Sequence, residues 1–211
     1  MSRDHILHRV RTALGRSAGQ EPPPPPPVRL RIPEVPLDAR AASFITRLEA
    51  LAGKAQRVAT KGDAREIIAA AIAGKNCVAS NSPYLAECGI STLPGVRTGI
   101  RNVDELRDAC ETCDIGITSA DYALADTGTL VTIASPEEAR LVSLLPPAHI
   151  AVVPIDRLLT GLDELFTLVP LPADRSSSTV LITGPSRTAD IEQILVRGVH
   201  GPGTITVVVV G

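Results

Sequence analysis

The chain has 211 residues, 44% of them hydrophobic, which is enough to bury one substantial core. Its 21 basic and 23 acidic residues nearly balance, so no net charge draws it to nucleic acid or to an anionic membrane. Two Phe, two Tyr and no Trp leave few side chains that could stack on unpaired bases. We therefore expect one domain that does not bind nucleic acid and has a core of Val, Leu, Ile and Ala.

Apolar runs and the amino-terminal residues indicate where in the cell the protein is expected. No apolar run approaches the roughly 20 residues that span a bilayer. Charges at Asp4, Arg9 and Arg11 interrupt the first residues, which therefore lack the apolar segment of a signal peptide. The sequence predicts a cytoplasmic protein with no membrane span.

The start of the chain is predicted to be an appendage. Ile6, Val10 and Leu14 fall on one stripe of an amphipathic helix. Six consecutive prolines, Pro22–Pro27, should form a stiff polyproline II spacer of about 3.1 Å per residue. The helix either folds back onto its own domain or docks on a partner subunit or a second copy. The expected parts are an amino-terminal helix at 1–20, a proline-rich linker at 21–36 and an α/β domain at 37–211.

From Leu37 onward, helical patterns alternate with short apolar runs, which is typical of a parallel sheet with helices on both faces. Predicted helix starts are Asp63 with Glu66, Asn102 with Glu105, and the segment Ser135-Pro136-Glu137-Glu138. Predicted strands lie at 57–60, 77–80, 114–118, 129–133, 149–153, 179–183 and 204–210. The sequence predicts an α/β fold with a mostly parallel sheet.

In open parallel sheets, ligands bind beyond the carboxyl ends of strands, so the loops there are candidate sites. The segment 116–130 is the richest in polar side chains. Thr118, Ser119 and Asp126 would line a crevice and bind a small polar ligand, with Asp126 a candidate proton acceptor. Alternatively, Asp126-Thr127-Gly128 is only a turn, in which Asp126 accepts backbone amides and Gly128 supplies a positive φ.

A second candidate loop contains Gly184, Ser186, Arg187 and Asp190 and joins a predicted strand to a predicted helix. Free amides there would hold an anion, and Arg187 would clamp a carboxylate or phosphate. Against this, Asp190 in the first helical turn already complements the helix dipole and weakens the attraction for an anion. Neither GxGxxG nor GxxxxGK[ST] occurs, so dinucleotide and nucleoside triphosphate motifs receive no support.

The cysteines and histidines predict no metal site. Cys110 and Cys113 have CxxC spacing, but zinc and iron–sulfur sites need further ligands in similarly tight spacing, and the sequence lacks them. Two incidental cysteines near a helix end are favoured over a redox or metal pair. His149 and His200 are interpreted as a strand-edge hydrogen bonder and a turn residue, with proton transfer as the alternative role.

Three segments, GITSADYALADTGTLV, PPAHIAVVP and TGPSRTADIEQILVRGVHGPG, resemble the lactate utilization protein C family of the LUD domain. The resemblance covers residues 37–211, and ILHRVRTALGR is similar to the family's amino-terminal helix. It implies a Rossmann-like α/β fold, similar to that of the coenzyme A transferase and sugar-phosphate isomerase group. It carries over the following residues as motif positions without assigned roles: Thr118, Asp126, Thr127, Gly128, Ser186, Arg187 and Asp190.

The resemblance also implies a function. Family members oxidise L-lactate to pyruvate together with two iron-sulfur-containing partner proteins, so this chain would be the subunit without clusters or other cofactors. Its four scattered cysteines agree, because they cannot supply the ligand sets of several clusters. Two alternatives stay open. One is an independent enzyme on a small carboxylate, phosphoester or thioester, and the other is a ligand-sensing or structural module.

Overall fold

The structure, a computed structural model, describes residues 2–17, 19–20, 32–189 and 195–211. The chain divides into two units, the first ending at Arg31 and the second beginning at Ile32. The six prolines of the predicted linker lie outside the described residues. None of the described helices is long and apolar enough to cross a membrane.

The first unit contains the predicted amino-terminal helix, α1 (Arg3–Ala13). Ser2 caps it, because the Ser2 hydroxyl accepts a hydrogen bond from the backbone N–H of His5 at 3.3 Å. No residue of α1 is buried, and Ile6 and Val10 are 50% and 49% exposed. One side of α1 is therefore an exposed apolar stripe.

The second unit is built from alternating helices and strands. Its helices are α2 (Leu37–Ala50), α3 (Lys61–Ala71), α4 (Pro83–Glu87), α5 (Val103–Thr112), α6 (Leu141–Leu144), α7 (Leu162–Leu168) and α8 (Pro172–Arg175). Its strands are β1 (Lys54–Val58), β2 (Cys77–Ala79), β3 (Val96–Arg97), β4 (Ile115–Ser119), β5 (Tyr122–Leu124), β6 (Thr129–Ile133), β7 (Ala148–Pro154), β8 (Leu158–Leu159), β9 (Thr179–Ile182), β10 (Arg187–Ala189), β11 (Leu195–Arg197) and β12 (Thr204–Val210).

The main sheet has six strands within the described part of the chain, in the order β1-β12-β7-β4-β2-β3. Every neighbouring pair is parallel. Ile117 of β4 lies opposite Ala79 of β2 on one side and Ile150 of β7 on the other. Because all strands point the same way, Ser119 and Pro154, the last residues of β4 and β7, lie at one edge of the sheet. We call this edge the carboxyl edge.

Helices cover both faces of the main sheet, as the sequence predicted. One face packs against α3 and α4 through Ile68 and Leu85. The other packs against α2 through Phe44 and against α5 and α6 through Cys110 and Val142. The strands between these layers are continuous apolar runs, because a strand buried on both faces has no solvent side for polar residues.

A second, mixed sheet accounts for two of the predicted strands. Its order is β8-β5-β6-β9. Strands β5 and β9 run antiparallel to β6, whereas β8 runs parallel to β5. The sequence placed the β6 and β9 runs in one parallel sheet, because an apolar run gives no direction for its strand.

Three local predictions were wrong. The cap of α3 is the pair Thr60 and Asp63, three residues before the predicted pair. The Thr60 hydroxyl accepts a hydrogen bond from the Asp63 N–H, and the Asp63 carboxylate accepts one from the Thr60 N–H. Ser135 forms a turn instead of a helix start. Residues 187–189 and 195–197 pair as antiparallel strands where a helix was predicted after Thr183.

The turn between β5 and β6 packs tightly against α2. Gly128 adopts a φ of +68°, the positive value that the turn interpretation required. A β-carbon built on Gly128 would lie 2.5 Å from the backbone nitrogen of Leu48. The Ser43 hydroxyl of the same helix donates to the carbonyl of Ala125 at 2.7 Å. The backbone of the turn therefore packs directly on the backbone of α2. Glycine adopts the positive φ and also leaves room for this contact.

We predict that Gly128→Ala lowers the free energy of unfolding by about 2 to 4 kcal/mol, through the left-handed conformation and the steric overlap together. Gly74→Ala is the matched control, because Gly74 also has a positive φ, +72°, but has nothing within 4 Å of the added carbon. It should lower stability by about 1 kcal/mol. Urea unfolding measures both, and equal losses would show that the contact with α2 has no energetic effect.

Candidate functional site

Polar side chains gather at the carboxyl edge of the main sheet. Ser80 directly follows β2 and Ser82 lies two residues further, while Ser119 ends β4, the neighbour of β2 in the sheet. The hydroxyl oxygens of Ser82 and Ser119 lie 2.8 Å apart and share a hydrogen bond. Such an edge is where open parallel sheets hold their ligands.

Glu138 joins this serine pair from the loop after β6. The Ser119 hydroxyl donates to Glu138 Oε2 at 2.7 Å, and the Ser119 backbone N–H donates to the same oxygen at 3.3 Å. The Ser135 hydroxyl accepts the backbone N–H of Glu138 at 2.9 Å and so fixes the turn that carries it. Ser119 thus holds the carboxyl group, and Ser135 holds the backbone that carries it.

The carboxyl group of Glu138 is buried and only half satisfied. Glu138 is 8% exposed, and neither its Oε1 nor the nearby Ser80 hydroxyl has a hydrogen-bond partner. Burial raises the pKa of Glu138 to about 7 and the neighbouring Asp121 raises it further, while the hydroxyls of Ser119 and Ser80 oppose both. The Ser80 hydroxyl therefore lies near the carboxyl group without forming a hydrogen bond of good geometry. A carboxyl group with a pKa near neutrality can both accept and donate a proton under physiological conditions.

Glu138 opens into a cavity of about 300 Å³. Asp121, at the rim, accepts the backbone N–H of Ile133 at 2.6 Å, and burial raises its pKa while Arg157 opposes the change. The cavity is lined by Ser82, Pro83, Ser119, Asp121, Ser135, Glu137 and Glu138. A buried proton carrier beside hydroxyl donors can bind a small polar ligand and exchange a proton with it.

Thr118 and Ser119, paired in the sequence-based hypothesis, point to opposite faces of the sheet because they are adjacent in β4. The Thr118 hydroxyl lies 2.8 Å from Nε2 of His149, and both residues are 1% exposed. Burial lowers the pKa of His149 to about 4, so the ring is neutral at physiological pH. Of the three residues in the predicted crevice, Ser119 is the one that lines the Glu138 cavity.

Asp126 and Thr127 are exposed in the β5–β6 turn. The Thr127 hydroxyl donates to Asp126 Oδ1 at 3.2 Å, and the Asp126 N–H donates to the carbonyl of Thr160. The Thr129 hydroxyl reaches Thr127 at 2.8 Å and Thr183 at 2.9 Å. These contacts connect the turn to the neighbouring strands, and Asp126 is not among the residues that line the Glu138 cavity.

The second predicted loop packs around the end of α2. The Arg187 guanidinium donates to the carbonyl of Leu51, and Gly184 lies against the Leu51 side chain. The Ser186 N–H donates to the carbonyl of Pro202 at 2.9 Å, just before β12 begins. This places Ser186 at the amino ends of the strands, opposite the carboxyl edge. Asp190 lies outside the described residues.

The four cysteines are all free and buried. Burial raises the pKa of the Cys110 thiol to about 11, and it also raises that of Cys113, so both CxxC thiols are protonated at neutral pH. Among the described residues, no group of three or more His, Cys, Asp or Glu side chains could hold a metal ion.

Sequence reasoning did not select Glu138, Asp121 or Ser82 as site residues. The sequence signal was present, since Ser-Pro-Glu-Glu follows a buried strand, but it was interpreted as a helix start. What singles out Glu138 from Glu137 is burial beneath Ser119, a residue 19 positions away along the chain.

We predict that Glu138→Gln stabilises the protein at high pH. A carboxyl pKa raised from 4.5 to about 7 by folding contributes stability that is complete below pH 4.5 and lost as pH rises through 7. Glutamine mimics the protonated group, so the variant should match the parent chain at pH 4.5 and exceed it by about 3 kcal/mol at pH 8.

Urea unfolding at both pH values provides the measurement. Glu111→Gln is the control, because Glu111 is exposed on α5. It should show no pH-dependent difference from the parent chain, and a pH-independent effect of Glu138→Gln would refute the raised pKa.

Comparison with known proteins agrees with the fold. The LUD domain family model matches residues 41–210. A crystal structure of a DUF162 family protein from Deinococcus radiodurans has a TM-score of 0.65 to this chain at 19% identity, covering 84% of this chain and 100% of that one. At this identity the likeness shows a shared fold.

Several relatives are named lactate utilization protein C. The protein from Halalkalibacterium halodurans is 43% identical over 103 residues, covering 47% of this chain and 45% of the relative. The protein from Anoxybacillus flavithermus is 31% identical over 153 residues, covering 70% of this chain and 69% of the relative. The matched part of this chain thus spans less than half of the first relative's length. The family match covers most of the α/β unit, and the chain belongs to the LUD domain family.

Proposed function

We propose that this chain acts in lactate utilization, in the cytoplasm of a bacterium, as a subunit of an L-lactate-oxidising system. Its partners are two iron-sulfur proteins that hold the redox clusters. The relatives named lactate utilization protein C support the biological role. Within that system, the chain binds a small polar ligand at the carboxyl edge of its main sheet.

The observation that carries the chemical part of this proposal is the buried carboxyl group of Glu138. Oxidation of a hydroxy acid to an oxo acid removes two electrons and two protons, one proton from the carbon and one from the hydroxyl. The electrons would pass to the iron-sulfur partner proteins, and the hydroxyl proton requires a proton acceptor. Glu138 has an unpartnered Oε1 and a pKa of about 7. Its other oxygen is held by Ser119, so the free oxygen keeps a fixed position. Glu138 then acts as the proton acceptor, and the serine hydroxyls orient the ligand.

The first experiment is an anaerobic pull-down of the tagged chain from its own cells grown on lactate, followed by lactate-dependent dye reduction. Iron-sulfur partners in the eluate, with activity there and none in the isolated chain, would support the subunit role. Activity of the isolated chain would make it an enzyme in its own right. Lactate binding without any turnover in either sample would favour a ligand-sensing module.

We predict that Glu138→Gln reduces lactate-dependent dye reduction by the eluate by a factor of about 10² to 10⁴, the usual contribution of a general base. Recovery of the partner proteins should not change, since Glu138 is buried. The exposed Glu111→Gln serves again as the matched control. Full activity of Glu138→Gln would show that Glu138 transfers no proton.

We predict that Asp126→Asn keeps nearly full activity in the same assay. The contacts of Asp126 lie within its turn and to Thr160, and asparagine can form similar hydrogen bonds. The measurement combines dye reduction with a melting curve. Loss of activity in a folded Asp126→Asn variant would instead support Asp126 as the proton acceptor.

A further inference from the structure

A second cavity adjoins the one at Glu138. Its volume is about 200 Å³, and it shares Ser119 and Asp121 with the first cavity. Its other lining residues are Tyr84, Ala120, Pro154 and Arg157. Pro154 ends β7, as Ser119 ends β4, so the two cavities lie side by side along the carboxyl edge.

Arg157 provides a positive charge for this second cavity. It ends the single helical turn Ile155–Arg157 that follows β7. Its guanidinium lies 5.7 Å from the centre of the Tyr122 ring, which holds the planar group without using its N–H donors. Arg157 takes part in none of the ion pairs found among the described residues. A guanidinium placed in this way can receive a carboxylate or a phosphate through two parallel hydrogen bonds.

The volume of the two cavities also bears on the ligand. Sites for drug-sized ligands have volumes of roughly 300 to 1,000 Å³. A three-carbon acid such as lactate would fill a small part of the space from Glu138 to Arg157. Asp121 lines both cavities, and a neutral ligand segment beside its carboxyl group avoids repulsion.

We propose that the two cavities bind one elongated ligand, with a hydroxyl or carbonyl group at Glu138 and an anionic group, carboxylate or phosphate, at Arg157. This inference rests on the proposed function in one respect, the contact between ligand and Glu138. It adds that the site extends beyond the space that lactate fills at Glu138 and also accepts longer compounds whose anion reaches Arg157.

The test is calorimetric titration of the purified full chain with two series of compounds. One series is the ω-hydroxycarboxylates, from glycolate to longer homologues, and the other is the ω-hydroxyalkyl phosphates. Affinity should rise with length until the molecule reaches from Glu138 to Arg157 and then level off or fall. Tighter binding of one series identifies the anion.

Variants of Arg157 decide whether the anion binds there. Arg157→Gln should weaken binding of the longer compounds by at least about tenfold, because a two-point charged contact is lost, and leave glycolate binding unchanged. Arg157→Lys should give an intermediate loss, since an ammonium keeps the charge without the planar pair of donors. Arg107→Gln, on the exposed side of α5, is the matched control and should bind like the parent chain. Melting curves check that each variant is folded.

Three results would overturn the inference: affinity independent of length, no binding of either series, or the same loss for glycolate and for the longest compound in Arg157→Gln. These results are separate from failure of the proposed function, which is decided by lactate-dependent dye reduction in Glu138→Gln. The inference about the ligand can therefore fail while the proposed function holds, and the reverse.

Discussion

Burial of the central strands on both faces is the constraint on which the rest of this structure depends. Val207, Val208 and Val209 of β12 are fully buried, as are Val152 and Val153 of β7. A polar side chain in this layer has to find its partner within the layer, because water does not reach it. Thr118 does so by bonding Nε2 of His149 across the β4–β7 pair, which leaves Nδ1 of His149 without a partner. Chemistry that needs a ligand is thereby confined to the strand ends.

The two ends of the main sheet are used differently. At the amino ends, Ser186 bonds the carbonyl of Pro202, and nearby Arg187 bonds the end of α2, so these polar groups are satisfied within the protein. At the carboxyl edge, Glu138 and Ser80 keep buried polar atoms that form no hydrogen bond, beside a cavity that Glu138 lines. His149 Nδ1, near the amino end of β7, is also buried without a partner, but His149 lines neither of the two cavities at the carboxyl edge. Buried polar atoms without partners are rare in folded proteins and call for a functional explanation. This contrast is the reason for placing the ligand at the carboxyl edge.

Glu138 also shows how a site can oppose stability. Burial of its carboxyl group favours the protonated form, so ionisation at neutral pH and above destabilises the fold. A glutamine would avoid this loss while keeping a hydrogen-bond acceptor for Ser119. This loss of stability is consistent with a residue kept for proton transfer, since a solvated carboxylate with an ordinary pKa is a weak base at neutral pH.

The sequence by itself determined the α/β class, the buried strands and the family. Alternating helices and apolar runs are local patterns, as is the Asn102 cap of α5, and such patterns follow from neighbouring residues alone. The sequence motifs were also sufficient for the family, which the LUD domain match confirmed. Only the tertiary structure decided which polar residues meet. Asp126 and Glu138 are both acidic residues in loops, and what separates them is the packing of Ser119 over Glu138, a contact between distant positions that no local pattern encodes.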